Sequence, residues 1–286
     1  MISLVICSRT QNISQQFDEN IKKTIGCEYE LIVIDNSNNQ YSIFEAYNAG
    51  LTKSKNNFVC FLHDDILIHS NNWGKLLIET FQNNPEVGLL GIAGSQIKTK
   101  MPSAWFNCPK EQKAIYIIQH FNGQNLKDKW EYGFENNIYV EVTAIDGVFM
   151  ALRKDPRISF NTNMKGFHNY DLNISFEYQK FGYKIWSTNA ILLEHFSSGS
   201  MNKDWVDSTF KIHAVYKDIL PLKTSDMSKR DLKLLEFENG VKYVNHALNF
   251  KLKKNAIRIW FDLLKIRPYS KEYIKFSKKM IRLLFQ

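Results

Sequence analysis

Residues 58–66, FVCFLHDDI, run through apolar, β-prone side chains and stop abruptly at His63, Asp64 and Asp65. A buried parallel strand that brings carboxylates to its carboxyl end reads this way, and that edge is where open α/β sheets bind ligands. Adjacent acids beside a buried strand are costly unless a positive charge meets them, and a hard divalent cation is the usual answer. Acids after a strand also serve as turn and helix-cap residues, so the motif gains weight only from its surroundings. Other chemistry-bearing residues stand at comparable places. Asp35 closes the apolar run 30–35, and His195 ends another that starts at Ile191. Asp171 opens a helical pattern, where Asp is favoured as a cap and a carboxylate can also act as a base. Asp146 precedes Gly147 in a pair that also makes hairpin turns.

The elements that must hold these residues alternate. Residues 2–7 read as a short buried strand, and Ile13, Phe17, Ile21 and Ile25 recur every four residues as the stripe of an amphipathic helix. Residues 30–35 form a second strand, Phe44, Tyr47 and Leu51 mark a second helix, and a third strand leads to Asp65. This β-α-β-α-β order predicts right-handed crossovers and a parallel sheet covered on both faces. A helix around Trp73, Leu76, Leu77 and Phe81 and one strand over 87–93 follow. Trp105, Phe106, Trp130, Tyr132 and Phe134 stand among polar residues, which predicts loops or hairpins with exposed aromatics over 101–137. One or two strands are expected over 140–152 around Asp146 and Gly147. A helix over 171–181 closes at Gly182 in the left-handed cap position, and strands over 184–187 and 191–193 lead into Glu194 and His195.

Size and composition bound the rest. A chain of 286 residues with 44% hydrophobic content suits one large α/β domain with an appendage, or two modest domains. No apolar run reaches 18 residues and no secretory leader is visible, so a cytoplasmic setting is expected. The four scattered cysteines lack metal-type spacing, and Cys7 and Cys60 are expected as reduced core residues. The net charge of +8 belongs to the end of the chain: residues 241–286 hold 12 Lys/Arg against 2 Asp/Glu. The first 240 residues are near neutral, which argues against nucleic-acid binding. Gly88, Gly91 and Gly94 do not make a dinucleotide fingerprint, and no phosphate-loop motif occurs.

Taken in order, LVICSRT, ELIVIDNS, AYNAGL, FLHDDI, GLLGIAGS, AIDGVFMALRK, GFHNYDLNISFEYQKFGYKI and LLEHFSSGS resemble the GT-A-fold glycosyltransferases of the large family-2 type, closest to bacterial branches that decorate surface polysaccharide. The resemblance covers roughly residues 1–200. It implies an α/β GT-A fold, with a mixed, mostly parallel sheet covered by helices. It also implies sugar transfer from a nucleotide-diphosphate donor, UDP-sugar-like, to a glycan or lipid-linked hydroxyl, with inversion and with Mn2+ or Mg2+ as cofactor. Asp65 then corresponds to the metal ligand and Asp64 to a ribose or outer contact, while His63 stands where the family often has its first acid. His195 corresponds to a further metal ligand. Asp171 corresponds to the base, with Tyr170 where many members carry Glu and Asn173 where a second acid is common. Ser8, Arg9, Asp35, Asn36 and Asn48 correspond to nucleotide contacts, and Asp146 and Gly147 to a donor- or acceptor-sugar contact.

The domain expectation is a catalytic unit over 1–220 and a helical basic extension over 221–286. In the extension, Ile257, Trp260, Phe261 and Leu264 cluster on one helix face, and Ile274, Met280, Ile281, Leu284 and Phe285 supply the apolar residues of a second helix beyond Pro268. Basic amphipathic helices of this kind dock on anionic membrane surfaces, which would make the protein peripheral at the inner face of the cell membrane. Packing on the catalytic unit, or between copies in a homo-oligomer, is the competing use of the same faces. Two other functions stay open: a degenerate member that only binds a glycan or partner, and a sugar nucleotidyltransferase. CSRTQN lacks the glycines that the latter needs after the first strand.

Overall fold

The computed structural model describes residues 1–121 and 126–284; Phe285, and the 122–125 part of the aromatic-rich region, lie outside the described residues. The chain opens with β1 (Ile2–Ser8), α1 (Gln15–Thr24), β2 (Tyr29–Asp35), α2 (Ile43–Lys53) and β3 (Phe58–Leu62), the alternation read from the sequence. Both helices start on capping side chains. Ser14 accepts the Phe17 N–H, and Ser42 with Glu45 makes a reciprocal capping box. β1 pairs in parallel with β2 and β3, and the register sets Ser8 opposite Asp35 and Ile6 opposite Leu62. The three strand ends therefore finish nearly level, and the residues after them share one edge.

β4 (Ile66–Ile68), α3 (Trp73–Asn83), β5 (Val87–Gly91), β6 (Ala93–Ser95) and β7 (Ile97–Lys98) follow. The run 87–93 is not one strand: Ile92 separates β5 from β6, and each joins a different sheet. β8 (Lys113–His120) and β9 (Lys127–Tyr132) pair antiparallel. β10 (Tyr139–Val142), β11 (Ala144–Ile145) and β12 (Phe149–Arg153) are three strands where one or two were expected. α4 (Tyr170–Lys180) is followed by Gly182 at φ +79°, the left-handed position foreseen for it. β13 (Lys184–Thr188), β14 (Leu193–His195), α5 (Lys203–Val215), β15 (Leu222–Lys223), α6 (Lys229–Asn249), α7 (Lys253–Ile266) and α8 (Lys271–Leu284) complete the chain.

The main sheet has seven strands in the order β10-β13-β5-β12-β3-β1-β2. It is mixed, as expected, but half rather than most of its pairings are parallel: β12 runs antiparallel to both β3 and β5, and β10 to β13. A second sheet, β11-β6-β8-β14-β4 with β9 on β8, lies where β3 ends. There β14 pairs with β4 so that His195 stands opposite Ile66, and with β8 so that it stands opposite Gln119. His195 thereby reaches Asp65 from a strand 130 residues away in sequence.

One core packs between the sheets and α1–α4, with Phe17, Phe44, Phe61, Trp73, Phe81 and Phe149 essentially inaccessible to solvent. Burial of each such side chain is worth roughly 1.5–3 kcal/mol. A second cluster joins Met101 and Val206 to Phe237, Tyr243 and Val244 of α6, Ile259 and Leu263 of α7, and Phe276 and Met280 of α8. Cys60 is a core thiol as expected, but Cys7 is only half-buried and lines a cavity, because β1 ends there at the sheet edge. The aromatics of 101–137 divide: Trp105 and Phe134 are buried, Trp130 and Tyr132 half-buried, and Phe106 exposed.

Candidate active site

The level ends of β1 and β3 open onto a cavity of about 350 Å³ walled by Ser8, Arg9, Asn36, Tyr47, Asp64 and Asp65. Arg9 closes over the acids: its backbone N–H donates to Asp64 Oδ2 at 3.1 Å, its Nη2 donates to Asp64 Oδ1 at 2.8 Å, and Nη2 lies 3.4 Å from Asp65 Oδ2. The Arg9 side chain is itself mostly exposed, so solvent screens this pair and it can exchange for a ligand's charge. Asn36 accepts the Tyr41 N–H (2.9 Å) and donates to the Tyr41 carbonyl (3.0 Å), which shapes the loop at the cavity's edge. Asp35 is not in that wall. Its Oδ1 accepts the Ser37 N–H at 2.9 Å, a local turn contact. Asn48 lies elsewhere, clamping α2 to the backbone of Phe160 by a pair of hydrogen bonds of 2.7 and 2.9 Å.

At the end of β3, His63, Asp65 and His195 converge, each offering one donor atom within 4.8 Å of the others. His63 Nδ1 is 3.4 Å from His195 Nε2, Asp65 Oδ1 is 3.5 Å from His195 Nε2, and it is 3.8 Å from His63 Nδ1. A triangle with those sides has a point about 2.1 Å from all three corners, the bond length that first-row divalent ions make to imidazole nitrogen and carboxylate oxygen. The donor set fits a divalent cation. The electrostatics agree with the geometry. Burial pushes the Asp65 carboxyl up, but hydrogen bonds from His195 and Ser197 and the nearby His63 outweigh it and hold the group well below the usual carboxylate range. Burial and the neighbouring His195 push His63 down, which favours its neutral form.

A second cavity, of about 520 Å³, shares His63, Phe167 and Tyr170 with the first and carries Asp146, Gly147 and Asp171 in its wall. Asp171 lies in the first turn of α4 with Oδ1 accepting the Leu172 N–H at 2.8 Å. Burial, reinforced by the charge of Asp146, pushes its carboxyl up to about 7. Asp146 is held at both oxygens, by the Trp105 indole N–H (2.9 Å) and the Val148 N–H (2.8 Å). Gly147 is needed beside it, since a Cβ there would lie 2.3 Å from the Tyr170 hydroxyl oxygen.

The structure thus brings together Ser8, Arg9, Asn36, Asp64, Asp65, His195, Asp146, Gly147 and Asp171, and leaves Asp35 at the rim and Asn48 outside. Reading the sequence missed Gln119, which contacts His195 Nδ1 at 3.1 Å, and Tyr170, 2.6 Å from His63 Nε2. A signal for Gln119 was present: KAIYIIQH ends an apolar run in polar residues as FVCFLHDD does. His120 and His213 are structural, the first on Glu194 (2.6 Å) and the second on the buried Lys98 Nζ (2.8 Å).

Residues 3–218 match a family described as "Glycosyltransferase like family". No protein with a curated description matches. Among solved structures, S. aureus TarS 1–349 in complex with UDP-GlcNAc aligns over 93% of this chain and 80% of its own, with 13% identity and a TM-score of 0.49. A longer S. aureus TarS structure aligns over 99% and 52%, with 13% identity and a TM-score of 0.49. GalNAc-T7 with UDP, GalNAc and Mn2+ aligns over 84% and 54%, with 11% identity and a TM-score of 0.46. The chain spans about half the length of these last two. Since the family match, residues 3–218, takes in all but the first residue of the two larger sheets and every residue named in the cleft, the chain belongs to the glycosyltransferase-like family and is a glycosyltransferase built on a central mixed sheet.

Proposed function

We propose that this glycosyltransferase transfers a sugar from a nucleotide-diphosphate donor, a UDP-sugar, to a hydroxyl of a glycan or lipid-linked acceptor, with a divalent cation and with inversion. The observation that carries the reading is the joining of the two cavities at His63 and Tyr170. A triangle of donor atoms fit for a cation and a carboxylate poised near neutrality stand on two cavities that share His63, Phe167 and Tyr170 in their walls. The nucleotide occupies the first cavity, with Ser8 and Asn36 toward its base and ribose and Asp35 at the rim. Arg9 leaves the acids to meet the diphosphate, while Asp64 turns to the ribose. His63, Asp65 and His195 hold the cation, which when bound supplies Lewis-acid neutralisation of the departing diphosphate. Asp146 and Gly147 border the transferred sugar. Asp171 accepts the proton of the acceptor hydroxyl as that oxygen attacks the anomeric carbon from the face opposite the leaving group. General base catalysis of this kind contributes roughly 10²–10⁴-fold.

The site calls for a thermal-shift screen of nucleoside diphosphates with and without Mn2+, repeated on Asp65→Ala. Stabilisation that needs both UDP and Mn2+ and vanishes in the variant is the expected result. Equal stabilisation of the variant would contradict the assignment. Residues 1–220 are proposed as the catalytic unit. For 221–286 we propose contact with an anionic membrane surface, supported by exposed Phe261, Leu264, Ile274 and Ile281 among exposed lysines of α7 and α8. No helix among the described residues is long and apolar enough to cross a membrane.

A further inference from the structure

Both candidate histidine ligands have a partner on the ring nitrogen that faces away from the triangle, and the two partners differ in kind. The amide of Gln119 is fixed in one orientation, because its Nε2 donates to the carbonyls of Ser197 and His120, each at 2.7 Å. Its Oε1 therefore faces His195 Nδ1 at 3.1 Å. A carbonyl oxygen only accepts, so the His195 proton sits on Nδ1 and the Nε2 lone pair points to the shared centre.

His63 instead has Tyr170 Oη 2.6 Å from its Nε2. A phenol both donates and accepts, so it satisfies either tautomer of a buried imidazole. With the proton on Nδ1, His63 donates across the 3.4 Å gap to His195 Nε2 and Tyr170 donates to His63 Nε2. With the proton on Nε2, His63 donates to Tyr170 Oη and the Nδ1 lone pair is freed for a cation. The phenol is held where this exchange needs it. Its ring is buried and meets Tyr47 edge-on at 5.5 Å, and only glycine at 147 leaves room for the hydroxyl.

We propose that Tyr170 is a positioning residue that turns the His63 Nδ1 lone pair to the cation, so that the centre takes a first-row transition ion through two imidazole nitrogens and one carboxylate and discriminates against Mg2+. The inference rests on the metal-dependent reading above. Mg2+ prefers an all-oxygen, near-octahedral surround and dehydrates reluctantly, whereas two fixed imidazoles favour a transition ion. Removing the hydroxyl leaves a buried Nε2–H without a partner, so the proton stays on Nδ1 and blocks that ligand.

The test is Mn2+ binding to the full chain, read by EPR with and without UDP, with Mg2+ as competitor. Wild type is expected to retain Mn2+ against a tenfold excess of Mg2+. Tyr170→Phe is expected to weaken Mn2+ roughly 10–100-fold, the usual loss on removing a partner of a ligating histidine. Gly147→Ala, whose Cβ would displace both the hydroxyl and the adjoining ring edge of Tyr170, is expected to do the same. His63→Asp, which restores an oxygen donor, is expected to narrow the gap between Mn2+ and Mg2+. Mn2+ held equally by wild type and Tyr170→Phe overturns the inference and leaves the metal reading standing, as does ready displacement by equimolar Mg2+. A wild-type chain that holds no Mn2+, even with UDP, overturns both.

Discussion

Two aspartates of one cleft are driven in opposite directions by what surrounds them. Asp65 has two histidines and Ser197 against it and stays ionised far into acid. Asp171 is half-buried; desolvation and the charge of Asp146 outweigh backbone N–H groups and Lys98, and its carboxyl is pushed up to about 7. That contrast separates a ligand from a base, since a base works best with its pKa near the working pH. The sign of the pH dependence follows. A raised pKa means that Asp171 is mainly protonated, and idle, below about 7 and becomes a carboxylate above it. Turnover at saturating donor is expected to climb between pH 6 and 8 and then level off, and a flat profile across that range would count against Asp171. Asp171→Asn is expected to lower turnover ~10²–10⁴-fold while UDP and Mn2+ still raise the melting midpoint. Loss of nucleotide binding in that variant would instead assign Asp171 a structural role.

At the scale of elements, apolar periodicity was enough to foresee α1–α3, continuous apolar runs marked the first three strands, and α4 was legible from its ends, Asp171 and Gly182, since it is buried on nearly every side. The strand ends were legible for the same reason, since Asp65 and His195 both stand where an apolar run stops. Distances between those ends were not legible. His195 reaches Asp65 only because β14 crosses to pair with β4 in a second sheet, a long-range register that local patterns do not encode. Asn48 shows the converse. Its place in AYNAGL suggested a nucleotide contact, yet it faces the 160 segment and makes both of its hydrogen bonds to the Phe160 backbone. Helix periodicity identifies the buried stripe of α2 but not which neighbour a polar residue at its edge will meet. Asn48→Ala is accordingly expected to destabilise the fold by about 1–3 kcal/mol, the cost of unsatisfied buried partners, with UDP affinity unchanged. Denaturant titration and nucleotide calorimetry on the same sample check both parts. Weakened UDP binding at unchanged stability would return Asn48 to the nucleotide site.

For the molecule as a whole, the basic tail is where two uses competed, and its helices divide their apolar residues between them. Ala256, Ile259 and Leu263 of α7, with Tyr273, Phe276 and Met280 of α8, face inward onto Met101, Val206 and α6. Phe261, Leu264, Ile274 and Ile281 stay outside, each more than 40% exposed, among exposed Lys254, Lys265, Lys271, Lys275, Lys278 and Lys279. The first face explains why deleting residues 221–286 is a poor test: it would strip the cover from Val206 and Met101, and instability would be mistaken for lost docking. Substituting the outer residues leaves the inner packing alone. Each Lys or Arg near an anionic surface adds roughly 1 kcal/mol, and this attraction is screened by salt, whereas insertion of the four apolar side chains is not. The full chain is therefore expected to float with phosphatidylserine-containing vesicles more than with neutral ones, partly resisting high salt. Phe261→Ser with Ile274→Ser and Ile281→Ser should keep the wild-type melting midpoint, cut flotation several-fold, and make the remainder more salt-sensitive. Unchanged flotation in that triple variant would leave bare charge as the only attraction. No flotation of the wild-type chain would hand these helices back to a solvated exterior or to contact between copies.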